Sequence, residues 1–211
     1  MASTQVVVVR HGETEWNLEG RLQGHLDSPL TEKGVAQARA LADRLEGQAF
    51  DVLYSSDLGR AYHTAEIIGN KIGVAVTTDK RLRERHLGIF QGRTWREIEE
   101  TSPDEYALYM GSGPDYVIPE GESARQRFDR TIACLEDVAC SHPGATVLVV
   151  AHGGVLNGLF RHTLGIPLEA SRRFKLWNAG INTFYYEDGA WTLGTWGDVG
   201  HLPLGDTLDD S

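Results

Sequence analysis

Two histidines stand where apolar runs end. Val6-Val7-Val8-Val9 leads into Arg10-His11-Gly12-Glu13-Thr14, and Val147-Leu148-Val149-Val150-Ala151 leads into His152-Gly153-Gly154. A neutral imidazole nitrogen attacks phosphorus when the other ring nitrogen donates to an acceptor that fixes the tautomer, which makes His11 a candidate nucleophile. Arg10 beside it is a candidate clamp for phosphoryl oxygens. Arg60 lies four residues before Thr64 in a segment predicted to be helical, so the two share a face near the amino terminus, where helix amides also favour anions. His152 is placed to donate to a phosphate oxygen, and Gly153 and Gly154 let the backbone approach closely. The run Arg81-Leu82-Arg83-Glu84-Arg85, taken alone, reads as a solvated charge run.

The elements that must position these groups follow from periodicity and turn residues. Two apolar runs that each deliver a histidine at the carboxyl end predict neighbouring parallel strands feeding one crevice, where open α/β sheets bind ligands. Thr31 is the expected N-cap of a helix whose apolar stripe is Ala36, Leu41, Ala42 and Leu45, closing near Gly47. Residues 51–54 read as a buried strand, followed by a helix capped by Ser56 or Asp57 and running to about Gly73. Residues 74–77 read as a third short strand. From Thr94 to Met110 lie helical pieces broken at Ser102-Pro103, then a loop to Gly121. A helix capped by Ser123 is predicted to run to Ser141, another to open at Gly153-Gly154 and reach Leu164, and a β-hairpin to turn at Asp188-Gly189. This alternation predicts an α/β protein, a three-layer α/β/α sandwich with a mainly parallel central sheet. One domain over residues 1–211 is expected, with 94–121 as a cap or lid over the crevice and the polar, acidic residues 203–211 as a flexible tail.

Composition excludes several classes. No apolar run approaches the roughly 20 residues that span a bilayer, so no membrane association is expected. The amino terminus lacks the basic start and apolar stretch of a secretory signal, which points to the cytoplasm. The formal charge of -10 argues against nucleic acid, whose phosphates attract dense Lys/Arg faces. Cys134 and Cys140 match neither a redox pair nor a zinc half-site and are expected to be packing residues. The strand edge at the terminal hairpin suggests a homodimer.

Taken in order, the motifs resemble those of the histidine phosphatase superfamily, the phosphoglycerate mutase-like fold. They are Arg10-His11-Gly12-Glu13-Thr14-Glu15-Trp16-Asn17, Arg21-Leu22-Gln23-Gly24, Asp27-Ser28-Pro29-Leu30-Thr31, Ser55-Ser56-Asp57-Leu58-Gly59-Arg60 with Thr64, Leu82-Arg83-Glu84, Glu120-Gly121-Glu122-Ser123 and Ala151-His152-Gly153-Gly154. Each is modest alone; together they cover residues 5 to 200. The resemblance implies that His11 is phosphorylated and that Arg10, Arg60 and His152 form the phosphate pocket. It adds contacts from Asn17 and from Gln23 with Gly24, and makes Glu84 the general acid. A carboxylic acid protonates the departing alkoxide and then, as carboxylate, activates water against the phosphohistidine. No metal and no cofactor are required in that scheme, because two arginines and a second histidine balance the charge that magnesium balances elsewhere.

Within the family, Glu84-Arg85-His86 followed by Gly88 and Gln91-Gly92 looks like the cofactor-dependent phosphoglycerate mutases. Those carry tyrosine where Leu87 stands, lysine where Trp95 stands, and a longer insertion with paired arginines. Here residues 94–119 contain a single arginine, Arg96. A mutase must hold a doubly anionic substrate and shield its phosphohistidine from water. The expected activity is therefore a metal-independent phosphatase acting on a small phosphorylated metabolite. Mutase is the alternative, and a noncatalytic phospholigand-binding module is a third reading that the Glu84 match disfavours. Arg85, His86 or Arg93 are candidates for reading a substrate carboxylate by their nearness to Glu84 in sequence. Trp95 with Tyr106, Tyr109 and Tyr116 would instead favour a bulkier apolar group, or simply pack beneath the cap.

Overall fold

The four valines before Arg10 decide where the sheet has its centre. With side chains alternating at a period of two, Val6 and Val8 enter one core and Val7 and Val9 the other, and all four are buried. A strand covered on both faces reads as an uninterrupted apolar run. In the computed structural model, which describes residues 2–203, the strands are β1 (Thr4–Arg10), β2 (Val52–Ser55), β3 (Val76–Thr78), β4 (Thr146–Ala151), β5 (Ile181–Glu187) and β6 (Ala190–Asp198). They form one six-stranded sheet in the order β3-β2-β4-β1-β5-β6. β1, β2, β3 and β4 are parallel, while β5 and β6 run antiparallel at one edge.

Among the described residues seven α-helices surround or cap the sheet: α1 (Glu15–Glu19), α2 (Glu32–Leu45), α3 (Gly59–Ile72), α4 (Trp95–Thr101), α5 (Pro103–Gly111), α6 (Ala124–Ser141) and α7 (Gly153–Leu164). The first core joins Val6, Val8, Val147 and Val149 to Leu135 and Val138 of α6 and Val155 and Leu159 of α7. The second joins Val7, Val9, Leu53, Leu148 and Val150 to Leu41 of α2 and Ala65 and Ile68 of α3. The result is the three-layer α/β/α sandwich that the alternation predicted. A third, smaller core gathers Phe90, Ile98 and Ile118 with Leu22, Leu87, Trp95, Tyr106, Tyr109 and Tyr116; it holds α4 and α5 together.

Local details differ from the sequence reading at two helix ends. The N-cap of α3 is Leu58, with no side-chain cap bond. Asp57 instead grips Arg83 through two 2.6 Å hydrogen bonds, and Ser56 turns to His152. The Arg60 amide finds its acceptor in Asp27 Oδ1, at 3.3 Å, from a distant loop. The third strand begins at Val76 rather than Val74, because α3 ends on Gly73 at φ 76° and the amides of Gly73 and Val74 both return to the Gly69 carbonyl. A residue held by a helix cap cannot join a ladder. The predicted tail falls almost wholly on residues 204–211, outside the described residues.

Ser123 caps α6 as expected. Its Oγ accepts from the Gln126 amide at 3.0 Å, and Gln126 Oε1 accepts from the Ser123 amide at 2.8 Å. Ser123→Ala removes half of this capping box and is expected to cost about 1 kcal/mol, read as a lower urea midpoint at unchanged slope. Among the described residues no helix is long and apolar enough to cross a membrane.

Candidate active site

The register of the two central strands brings the two histidines together. Arg10 pairs with Ala151, so His11 and His152 each stand one residue beyond the end of neighbouring parallel strands. Their rings meet edge to face with centroids 5.3 Å apart. The His11 amide still donates to the Ala151 carbonyl at 3.0 Å, and the Asn178 side chain donates to the His11 carbonyl at 2.9 Å. These bonds hold the turn from both sides.

His11 Nδ1 lies 2.8 Å from the Gly12 carbonyl. A carbonyl only accepts, so Nδ1 carries the proton and Nε2 keeps its lone pair. Burial, then the Arg60 and Arg10 guanidinium charges, hold the imidazole well below its ordinary range, outweighing the bond to Gly12. The ring is therefore neutral at physiological pH. His152 is depressed in the same way by burial, Arg60 and His11, and its Nε2 lies 2.8 Å from Ser56 Oγ. Ser56, expected from the sequence as a possible helix cap, is what orients this ring.

Arg60 occupies the second position of α3 and is 2% exposed. Its Nη1 donates to the Leu26 carbonyl at 2.9 Å and to Asp27 Oδ1 at 3.0 Å, and its Nη2 to the Gly24 carbonyl at 2.8 Å. The helix capping that Asp27 performs and the ion pair it makes are thus one device. Thr64 Oγ1 donates to the Arg60 carbonyl and accepts from the Gly12 amide at 3.1 Å, which ties α3 to the His11 turn. Arg10 Nη1 donates to the Leu176 carbonyl at 2.5 Å. Arg60 Nε and His152 Nδ1 are buried without a hydrogen-bond partner among the described residues, a cost of roughly 1–3 kcal/mol each unless a ligand takes them up.

Glu84 reaches the same place from the loop after β3. Its Oε1 accepts from the Arg85 amide and its Oε2 from the Gly154 amide, both at 2.8 Å. Burial pushes the carboxyl up, but Arg127, the two amides and Arg60 outweigh it and hold the group below the usual glutamate range. His25 steadies this loop: its Nε2 donates to the Glu84 carbonyl at 2.8 Å.

Arg10, His11, Asn17, Gln23, Gly24, Arg60, Glu84, Gly153 and Gly154 line one cleft of about 540 Å³. Asn17 Oδ1 accepts from the Thr14 amide and Gln23 Nε2 donates to Thr14 Oγ1, so both amides are oriented by the N-cap of α1. His152 lies directly behind this lining, fully buried. Arg85 and His86 do not line the cleft. Arg85 donates to the Glu122 and Tyr116 carbonyls and covers the Tyr109 ring, while His86 packs its ring on His25 at 4.6 Å and its amide on Glu122. Arg93 donates to the Glu97 carbonyl and the Thr101 hydroxyl of α4 and to the Ile89 carbonyl. Tyr106, Tyr109 and Tyr116 belong to the third core, whereas Trp95 reaches the cleft.

The sequence reading missed Trp16, Leu22, Asn157, Arg172 and Leu176 as part of the lining. Asn157 sits one helical turn beyond Gly153, so the i, i+4 spacing carried a signal. Arg172 and Leu176 come from the irregular stretch before β5, where spacing carried none. Among the described residues no group of three or more His, Cys, Asp or Glu side chains has the geometry to hold a metal ion.

A profile of the histidine phosphatase superfamily (branch 1) matches residues 6–199. The chain belongs to that superfamily. It is 42% identical over 202 residues to a metal-independent phosphoserine phosphatase of Arabidopsis thaliana, covering 94% of this chain and 83% of the relative. It is 40% identical over 203 residues to the probable phosphoglycerate mutase GpmB of Cronobacter sakazakii, covering 94% of both. Among solved structures, YhfR of Bacillus stearothermophilus superposes with a TM-score of 0.86 at 35% identity, over 94% of this chain and 98% of that one. Phosphatases and mutases of the superfamily thus both stand among its relatives, and the walls of the cleft have to separate the two activities.

Proposed function

We propose that this histidine phosphatase superfamily member is a metal-independent phosphatase that hydrolyses a small phosphomonoester through a phosphohistidine on His11. The observation that carries the reading is the chemistry of the cleft wall. Leu87 and Trp95, the two positions where mutases present a phenol and an ammonium, both face the cleft as apolar groups. Arg96, the single arginine of the cap, is paired with Glu100 at the surface with its side chain 86% exposed. Arg85 and Arg93 are occupied by backbone and side-chain acceptors. Among the described residues, the cap over 94–121 therefore offers no cation for the second anionic group of a phosphoglycerate; outside the phosphate pocket the cleft wall carries Arg21, paired with Glu19 and Glu97, and Arg172.

In the reaction, Arg10, Arg60 and His152 hold the phosphoryl oxygens. His11 Nε2 attacks phosphorus, the bond from phosphorus to the ester oxygen breaks, and that oxygen leaves with a proton delivered through Glu84. In the second step the Glu84 carboxylate takes a proton from water as its oxygen attacks phosphorus, the bond from phosphorus to His11 Nε2 breaks, and inorganic phosphate leaves with His11 neutral and Glu84 giving up its proton to the departing phosphate or to solvent. Because Glu84 is ionised before substrate arrives, the proton for the leaving group enters with the substrate, whose second phosphate ionisation is near pH ~6. Free Cys140 at the surface fits a reducing compartment, in keeping with a cytoplasmic enzyme.

Phosphorus NMR tests the reading, with the protein in EDTA and a panel of phosphoserine, sugar phosphates and 3-phosphoglycerate with its bisphosphorylated primer. Phosphoserine heads the panel because a relative carries that activity in its name. Inorganic phosphate released efficiently from one member is the expected result. Rapid formation of 2-phosphoglycerate without phosphate release would make the protein a mutase.

A further inference from the structure

Arg127 has no part in the steps just described, yet it is 4% exposed and lies between α6 and α7. Its Nη1 donates to the Gly154 carbonyl, and its Nε has no hydrogen-bond partner among the described residues. Burying a guanidinium with so few acceptors is costly unless a negative charge answers it. Gly154 stands between Arg127 and Glu84, its carbonyl towards the guanidinium and its amide donating to Glu84 Oε2 at 2.8 Å. Helix α7 is cut away for both partners. A Cβ at Gly154 would fall 2.0 Å from Glu84 Oε1, and one at Gly158, a turn further on, 2.6 Å from Arg127 Nη1.

We propose that Arg127 is a positioning residue that, through Gly154 and through its charge, fixes the Glu84 carboxyl group and keeps it ionised in the unliganded enzyme. The inference rests on the role given to Glu84 above. Other charged and titratable groups also face Glu84 among the described residues, and of these Arg60 adds to the effect of Arg127. Arg130 donates to the Glu84 carbonyl and is paired with Glu122 at 2.6 Å, and Arg85 is held by the carbonyls of Glu122 and Tyr116. His11 and His152 are neutral, with burial the first cause in each, and burial likewise lowers His25. Arg60 has Asp27. Arg127 is the largest charge acting to hold Glu84 below the ordinary glutamate range, against the burial that pushes it up.

The acid limb of kcat/KM reports protonation of the free enzyme. Loss of the Arg127 charge raises the affinity of Glu84 for its proton, so Arg127→Met is expected to move that limb upward by about one pH unit. Arg127→Lys, which keeps the charge, is expected to stay nearer the wild type. Activity on an alkyl phosphate is followed across the acid range, with aliquots returned to neutral pH to separate acid inactivation. Thermal unfolding is measured beside it to establish that the variant is folded: Arg127→Met leaves the Glu84 carboxylate without its buried countercharge and is expected to lower Tm. A folded Arg127→Met enzyme whose acid limb coincides with the wild type overturns the proposal. Should that variant not fold, Gly158→Ala, whose added methyl displaces the guanidinium, must move the limb instead, and its failure to do so is equally decisive. Glu84→Gln separates the two readings: the limb should vanish, and a limb that persists at wild-type rate refutes the role of Glu84 itself.

Discussion

Replacing His11 with alanine is expected to reduce turnover on every phosphomonoester by at least about 10⁴-fold, because among the described residues His11 is the histidine that lines the cleft and can form the covalent intermediate. The residue is 3% exposed, its Nδ1 is fixed by the Gly12 carbonyl, and burial, then the Arg60 and Arg10 guanidinium groups, keep it neutral. Those features serve a nucleophile and would be wasted on a charged phosphate ligand. Two measurements check it: steady-state rates with aryl and alkyl phosphates, and phosphorus NMR of the acid-quenched protein, in which a phosphohistidine resonance should be present for the wild type and absent for the variant. An alanine variant with wild-type turnover would remove the phosphohistidine route altogether.

The second large effect belongs to Glu84→Gln and depends on the leaving group. Glutamine keeps the shape and can still accept from the Arg85 and Gly154 amides, but it cannot pass on a proton. Hydrolysis of alkyl phosphates, whose alkoxide must be protonated as it leaves, is expected to slow by about 10²–10⁴-fold. Aryl phosphates, whose phenolate leaves unaided, should lose much less in the first step. A plot of log kcat/KM against leaving-group pKa should therefore steepen in the variant. Parallel lines for variant and wild type would contradict the assignment of Glu84 as proton donor. Water attack on the phosphohistidine also loses its base, so a longer-lived phosphoenzyme is expected in the variant.

Much of this was legible in the chain. The run Val6–Val9 could be read as a doubly buried strand because hydrophobic burial leaves a residue-by-residue trace. Helix α7 could be placed from Gly153 to Leu164 because a strand end, two glycines and Gly165 mark its limits. Motif order identified the superfamily before any geometry. The helix ends were less legible: Leu58 stands at the N-cap of α3 without a side-chain cap bond, and the Arg60 amide takes its acceptor from Asp27, 33 residues earlier. Proximity in sequence also misled at Arg85 and His86, since successive residues in an extended loop point to different sides, and only Glu84 of the three turns to the cleft.

By itself, then, the sequence determined the succession of strands and helices along the chain, a mainly parallel sheet between helices, and the set of groups able to handle a phosphoryl oxygen, because these follow from local periodicity and residue chemistry. The tertiary structure decided which of those groups meet. It set His152 on Ser56, Arg60 on Asp27 and the Gly24 carbonyl, and Trp95 rather than Arg96 against the cleft. It also buried Arg127 behind Gly154, where no motif would have looked. Protonation states and specificity depend on burial and on charges brought together from distant segments, and neither is written in the spacing of neighbours along the chain.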